Sequence, residues 1–226
     1  RYFCLSRGLG DVYKRQVVSL PSTQAWEFGP SSGAMNDRDN NLALMLDNPL
    51  FRTQYERAVL DAMQQAGIPA GSDVVLTGFS QGGIMAANLA ADSSFPYNPI
   101  GVVTNGSPVD NFHVPPNVPV YAFQHATDVV PMLDGSLVGV PGLPGQSPFD
   151  IPNSPVTVLP PNIHQITLPD PDGAHGFGAH NNPKYATSVA EWEAAYRDAN
   201  GGTDPWDLAG LGGTVVDHQV YQGVER

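Results

Sequence analysis

Residues 73–91 read DVVLTGFSQGGIMAANLAA, and this stretch carries the strongest structural signal in the chain. Residues 74–77 are apolar and rich in β-branched side chains, which predicts a buried strand. Residues 84–91 are apolar, contain many small side chains and lack a helix breaker, which predicts a helix packed against a sheet. The five residues between them, GFSQG, are therefore expected to form a tight strand-to-helix turn.

The turn matches the G-x-S-x-G pattern of a nucleophile elbow. A serine at the apex of such a turn holds a strained backbone, and a glycine two residues away on either side lets strand and helix pass without a Cβ clash. The N–H of Gln81 at the helix start can then face a developing oxyanion. A serine among glycines can also be a plain flexible turn, but the predicted strand and helix around it favour Ser80 as a nucleophile.

Length and charge limit the classes of function. A chain of 226 residues suits one α/β domain with a sizeable core. Ten Lys and Arg residues against 22 Asp and Glu residues give a net charge of −12, which argues against a nucleic acid or an anionic membrane as partner. No apolar run approaches the length of a transmembrane helix. We find no metal-ligand spacing and expect no cofactor.

The first 16 residues differ in character from the rest of the chain. Residues 11–16, DVYKRQ, resemble the translation of a transposon end used in sequencing-library preparation. The segment also holds the only cysteine, Cys4, and one of the two lysines. We interpret residues 1–16 as a non-native scar, leave them out of the predicted fold, and expect a native N-terminus with any signal peptide to be missing.

The remaining sequence alternates strand and helix patterns. This alternation predicts an α/β fold with a mostly parallel central sheet flanked by helices, which we assign to the α/β-hydrolase fold over residues 17–199. Catalytic groups are expected at the carboxyl ends of the strands. The predicted strands cover residues 17–20, 74–77, 100–104, 118–123 and 164–168, and the main helices residues 51–65, 84–91 and 185–199.

Three connections have two interpretations each. Residues 21–26 after the first strand are either the loop that supplies a second oxyanion N–H or a plain loop. Residues 131–162 are rich in proline and glycine, and form either a lid or binding loop for an acyl group or an extended surface loop. Residues 200–226 are a glycine-rich tail with a possible edge strand at 214–216.

The acid and the base of a triad must follow Ser80 in the order Asp or Glu, then His. Asp128 lies in the turn after the strand at 118–123, where this fold usually keeps its acid, and Asp110 lies one strand earlier. We predict Asp128, with Asp110 as the alternative. His175 and His180 both lie after the last strand, so position alone does not separate them. The other four histidines are interpreted as structural or surface residues: His113, His125, His164 and His218.

Four motifs together resemble the actinobacterial α/β hydrolases related to the PE-PPE serine hydrolases and cutinase-like esterases: GFSQGG at 78–83, GSP at 106–108, TDVVP at 127–131, and His180 followed by Tyr185. The first motif also resembles carboxylesterases and acyl-protein thioesterases. The resemblance spans most of residues 17–199. It implies His180 as the base, because the family's histidine lies a few residues before a tyrosine and the last helix. It also implies a second oxyanion donor at Thr23, in a loop where Ser22 replaces the usual glycine.

These assignments predict a serine hydrolase that cleaves a small-molecule, lipid or polymer carboxylic ester through an acyl-enzyme. Ser80, Asp128 and His180 would form the triad, and Gln81 and Thr23 the oxyanion hole. An acyltransferase or thioesterase with the same triad is an alternative, as is a non-catalytic binding protein with a hydrolase fold. The sequence sets neither the acyl-chain length, nor the alcohol, nor the oligomeric state.

Overall fold

The computed structural model describes residues 2–9, 16–22, 49–110, 112–134, 159–208, 210–212 and 214–222. Seven strands in this part of the chain form one sheet in the order β6-β5-β4-β3-β2-β1-β7. The strands are β1 (Tyr2–Leu9), β2 (Gln16–Leu20), β3 (Asp73–Phe79), β4 (Asn98–Asn105), β5 (Val120–His125), β6 (Ile163–Leu168) and β7 (Thr214–Gln222). The helices are α1 (Pro49–Gln65), α2 (Gln81–Ala91), α3 (Asn182–Ala199) and α4 (Pro205–Leu208).

The five strands β2 to β6 pair in parallel, which confirms the predicted α/β fold. Parallel neighbours need crossover connections, and helices supply them between β2 and β3 and between β3 and β4. All five strands therefore end at the same edge of the sheet, where the turns that follow β3, β4 and β5 lie side by side.

Helices cover both faces of the sheet. One face packs against α1 and α2 in the larger core, where Met63, Leu76 and Leu89 are fully buried. The other face packs against α3 and α4 in a smaller aromatic core that contains Phe123 and Tyr185. This alternation follows from the strand period of two, since neighbouring residues of a buried strand point to opposite faces.

Two strands extend the sheet beyond what the sequence predicts. Strand β1 pairs antiparallel with β2 on one side and with β7 on the other. It lies within residues 1–16, which were predicted to lie outside the fold; the foreign origin of that segment stays a prediction. Strand β7 continues to Gln222, well past the edge strand predicted at 214–216.

Two predicted features lie outside the described residues. They are most of the loop after β2, from residue 23 onward, and residues 135–158 of the predicted lid or binding loop. Of that loop the structure describes a short 3-10 helix, Pro131–Asp134, and the residues that lead into β6. No helix in the described ranges is both long and apolar enough to cross a bilayer.

Candidate active site

The turn between β3 and α2 holds Ser80 in a strained conformation. Its φ of 53° and ψ of −122° make it the only non-glycine residue with a positive φ in the described part of the chain. The surrounding hydrogen bonds fix this backbone: Ser80 N–H donates to the carbonyl of Asn105 (2.9 Å), and Ser107 Oγ donates to the carbonyl of Ser80 (2.9 Å). Such strain persists only where neighbouring structure enforces it, and it concentrates at functional sites.

The glycines around Ser80 are required by close packing. A Cβ on Gly78 would lie 2.2 Å from the carbonyl carbon of Gly82, where strand and helix cross. A Cβ on Gly82 would lie 2.2 Å from the carbonyl oxygen of Leu20, at the end of β2. The glycines of the G-x-S-x-G pattern therefore let strand and helix pass without a Cβ clash, as predicted.

Asp128 and His180 form a buried pair. Nδ1 of His180 lies 2.8 Å from Oδ2 of Asp128, and the exposed fractions of the two side chains are 6% and 0%. The other carboxylate oxygen, Oδ1, accepts a hydrogen bond from the N–H of Val130 (3.0 Å). Because a carboxylate only accepts, Nδ1 of His180 carries the proton, and Nε2 of the neutral ring is left as an acceptor.

Ser80 and His180 both lie near the ends of β3 and β4. The ring of Phe79 stacks on that of His180, with 4.5 Å between centroids, and a Cβ on Gly106 would lie 3.1 Å from Cε1 of His180. Ser80 Oγ and His180 Nε2 are both buried, and neither has a hydrogen-bond partner among the described residues. A hydroxyl donor and a nitrogen acceptor are thus left without partners in the same region of the protein.

Tyr185 completes the surroundings of Asp128. Its phenol donates to Oδ2 of Asp128 (2.7 Å) and accepts from the backbone N–H of His125 (2.9 Å). Burial, and then the nearby charge of Asp128, raise the pKa of Tyr185 far above its ordinary value, so the phenol remains a donor. In the sequence, Tyr185 is only part of a motif, and no role could be predicted for it. Its signal was a tyrosine within the apolar pattern of a helix, five residues after the histidine.

The two alternatives for acid and base lie elsewhere. Asp110 is buried and accepts a hydrogen bond from Gln165 Nε2 (3.3 Å), whereas His180 pairs with Asp128. The side chain of His175 is 76% exposed and contacts Asp170 (3.2 Å). Burial raises the pKa of Asp170, but hydrogen bonds from Thr127 and His175 outweigh it and leave that pKa below its ordinary value.

The predicted oxyanion donors are described in part. Gln81 is the first residue of α2, where backbone N–H groups point out of the helix end. Thr23 lies outside the described residues. The preceding residues run against the start of α2, and the phenol of Tyr55 holds them by donating to the carbonyl of Pro21 (2.6 Å). The hydroxyl of Ser22 is buried without a partner among the described residues.

The remaining histidines agree with a structural or surface interpretation. His125 is 1% exposed and hydrogen-bonded, whereas His113, His164 and His218 are exposed. Within the described ranges, no group of three or more His, Cys, Asp or Glu residues has the geometry to hold a metal ion.

Comparison with protein-family models finds no match, and comparison with curated proteins finds none either. Among solved structures, a lipase from Rhizopus microsporus var. chinensis is similar to the chain, with 18% sequence identity and a TM-score of 0.27. The alignment covers 55% of this chain and 49% of the lipase, so the chain spans about half the length of that protein. This likeness assigns neither a family nor an activity, and the resemblance to actinobacterial hydrolases stays a prediction.

Proposed function

We propose that the protein is a serine hydrolase that cleaves carboxylic esters. The observation that carries the proposal is the buried Asp128–His180 pair, which leaves Nε2 of His180 without a partner while Oγ of the strained Ser80 also lacks one. A serine is a poor nucleophile until an oriented imidazole accepts its proton. The assignment to esters rests on the four sequence motifs and their resemblance to esterases.

In the proposed reaction, Oγ of Ser80 attacks the acyl carbon while Nε2 of His180 takes the hydroxyl proton. The resulting imidazolium is stabilised by the carboxylate of Asp128 and then protonates the leaving alcohol. Water, activated by the same imidazole, releases the acid from the acyl-enzyme and restores the hydroxyl of Ser80. Asp128 remains ionised throughout, since its role is to orient and stabilise the ring.

The oxyanion formed in both steps would be held by backbone N–H groups. Gln81 supplies one, because it follows the nucleophile and begins α2. We assign the second to the region of Thr23, in the loop after β2. Donors aimed at developing charge in a site without water typically contribute about 3–4 kcal/mol each to lowering the barrier.

Fluorophosphonate labelling tests this proposal, because only an activated serine reacts. We expect one label per chain in the native protein, none in Ser80→Ala, and full labelling in Ser94→Ala. Ser94 is an exposed serine that bonds only locally, to Asp92, and so serves as the matched control. A folded native protein that takes up no label would overturn the proposal. A label that persists in Ser80→Ala would assign the nucleophile to another residue.

Turnover then separates the candidate reactions. We expect hydrolysis of p-nitrophenyl esters by the native protein and its loss in Ser80→Ala, on the order of 10⁶ in kcat if this triad behaves like that of a serine protease. Labelling without hydrolysis would favour the acyltransferase or thioesterase alternative. A protein that shows neither labelling nor hydrolysis would instead be assigned to the binding-protein alternative.

A further inference from the structure

We propose that His125 is a positioning residue for the general base, acting on His180 through the carbonyl of Ala179. The proposal rests on the function proposed above. His125 is the last residue of β5 and lies three residues before Asp128. Its side chain is not part of the triad, and no sequence motif points to it.

The ring of His125 joins three elements of the site. Nδ1 lies 2.8 Å from the carbonyl oxygen of Ala179, and Nε2 lies 3.0 Å from Oγ of Ser188 in α3. The ring also stacks on Tyr185, with 3.8 Å between centroids and 24° between planes. His125 itself is 1% exposed and its contact with Ala179 is buried, whereas its contact with Ser188 is partly buried.

The partner of Nδ1 fixes a proton on that nitrogen. A carbonyl oxygen only accepts, so Nδ1 of His125 must carry a proton and donate to Ala179. In the neutral ring, Nε2 then accepts from the hydroxyl of Ser188. The two nitrogens therefore have separate tasks: Nδ1 holds the loop that carries His180, and Nε2 holds the closing helix.

The carbonyl of Ala179 is well placed to control His180. It belongs to the peptide bond whose nitrogen is the backbone nitrogen of His180, and that bond is planar. Fixing the carbonyl therefore fixes the plane from which the His180 side chain starts. Ala179 is fully buried, and its carbonyl also accepts from the N–H of Asn181 (3.0 Å). Without the His125 bond, this peptide could rotate and turn the ring of His180 out of its position beside Asp128.

If His125 had only a structural role, its ring would contribute packing to the smaller core and would not orient His180. Two amide substitutions separate the roles, because each keeps one nitrogen's task. In His125→Asn the amide nitrogen can lie where Nδ1 lies and donate to Ala179, but nothing reaches Ser188. In His125→Gln the amide can reach Ser188, but no side-chain donor remains for the carbonyl of Ala179. Ser188→Ala removes the Ser188 bond alone and is the matched control.

We expect His125→Gln to lose kcat by about 10- to 100-fold with KM changed by less than about threefold, since a displacement of about 1 Å of a catalytic group can cost about 10² in rate. His125→Asn and Ser188→Ala should keep kcat within about threefold of the native protein. Both variants keep a side-chain donor to the carbonyl of Ala179, so His180 is not displaced by about 1 Å. Melting temperatures are measured for all three. If His125→Gln does not fold, His125→Phe, which keeps the ring stack and loses both hydrogen bonds, takes its place with the same expected loss.

A kcat in folded His125→Gln equal to that of the native protein would overturn the proposal. So would losses of kcat in the two amide variants that simply track their melting temperatures. The proton NMR signal of Nδ1–H of His180 provides a readout independent of turnover. We expect it at the native position in His125→Asn and shifted or broadened in His125→Gln. If the native protein shows neither labelling nor hydrolysis, the proposed function is wrong. An unchanged NMR signal in His125→Gln would contradict the positioning role alone.

Discussion

Tyr185 donates its phenol to Oδ2 of Asp128 across 2.7 Å, and this is the same oxygen that pairs with Nδ1 of His180. One carboxylate oxygen thus receives two donors, while Oδ1 receives the N–H of Val130. A carboxylate held at both oxygens cannot rotate to a geometry that would turn the imidazole away. The helix α3 therefore contributes to the orientation of the proposed base through a residue outside the triad.

Replacing Tyr185 by phenylalanine should weaken catalysis more than binding. The change removes one donor to Asp128 and leaves the buried N–H of His125 without its acceptor, which costs about 1–3 kcal/mol of stability. We expect kcat to fall by up to about tenfold, or about 1.4 kcal/mol of barrier, with KM nearly unchanged. Steady-state kinetics on one short-chain ester measure both. Tyr97→Phe, a buried tyrosine in the larger core, is the control and should keep full kcat.

The phenol of Tyr185 also predicts a loss of stability at high pH. Its pKa is raised from 10.0 by burial and by Asp128, so the folded protein keeps the proton that the unfolded chain releases. The stabilisation is complete below pH 10 and is lost above it, by up to about 1.4 kcal/mol per pH unit for one group. Melting temperatures from pH 7 to 11 should show a shallower alkaline fall in Tyr185→Phe. Some fall should remain, because burial also raises the pKa of Tyr97 and Tyr121. Parallel curves for the two proteins would contradict the prediction.

The fold was predictable from the sequence where the signals are local. An apolar strand, a tight turn and an apolar helix are neighbours along the chain, so the elbow at Ser80 and the parallel strands around it could be inferred. Strands β1 and β7 were not predicted in their observed extent, because they depend on antiparallel pairing between the two ends of the chain. Such pairing leaves no local periodicity that would distinguish it from a scar or a tail.

The candidate site was predictable only in part. Chain order allowed both Asp110 and Asp128, because each follows a parallel strand of the sheet. It also allowed both His175 and His180, because both follow the last parallel strand. The structure separates the histidines by the short 3-10 helix Gly176–Gly178, which leaves His175 exposed and His180 buried. The role proposed for His125 could not be inferred, since a lone histidine on a strand gives no indication of which backbone carbonyl it binds.

The two histidines can be compared directly. His180→Ala should remove nearly all turnover, on the order of 10⁶ in kcat by analogy with a serine protease. His175→Ala should change kcat/KM by less than about tenfold, or about 1.4 kcal/mol of barrier, because its side chain is exposed and bonded to Asp170. Both are measured on one short-chain ester at neutral pH. An inactive His175→Ala with an active His180→Ala would show that the base is assigned to the wrong residue.

Deleting residues 1–9 tests the place of β1 in the sheet. Strand β1 is the partner through which β7 joins the sheet, so its loss leaves both β2 and β7 with an unpaired edge. In a chain of this size each kcal/mol lost lowers the melting temperature by about 2–4 °C, and we expect a fall of about 5 °C or more. The strands that carry the proposed triad are untouched, and activity below the transition should persist. An unchanged melting temperature would show that β1 adds nothing to the stability of the sheet.

Gly106 lies against the proposed acid and base. Its φ is +58°, and a Cβ there would lie 2.9 Å from the ring of Tyr185, 3.0 Å from Oδ2 of Asp128 and 3.1 Å from the ring of His180. Gly106→Ala must therefore displace the ring of Tyr185, which donates to Asp128, and also presses on the carboxylate and the imidazole by a few tenths of an ångström each. We expect kcat to fall by about tenfold, below the roughly 100-fold cost of a misplacement of about 1 Å. Gly67→Ala is the matched control, because Gly67 has a similar φ of +68° with nothing within 4 Å of its added Cβ.

Both alanine variants carry the same backbone penalty, about 1–2 kcal/mol for a side chain in the left-handed region. Urea denaturation should therefore show a loss of at least that size in each, whereas only Gly106→Ala should lose activity. Equal activity in the two folded variants would mean that the space around Gly106 does not constrain the acid and the base. Loss of activity in both would attribute the effect to general destabilisation instead. A loss of activity in Gly106→Ala alone, with a similar fall in the rate of fluorophosphonate labelling, would show that an added Cβ disturbs the acid and the base.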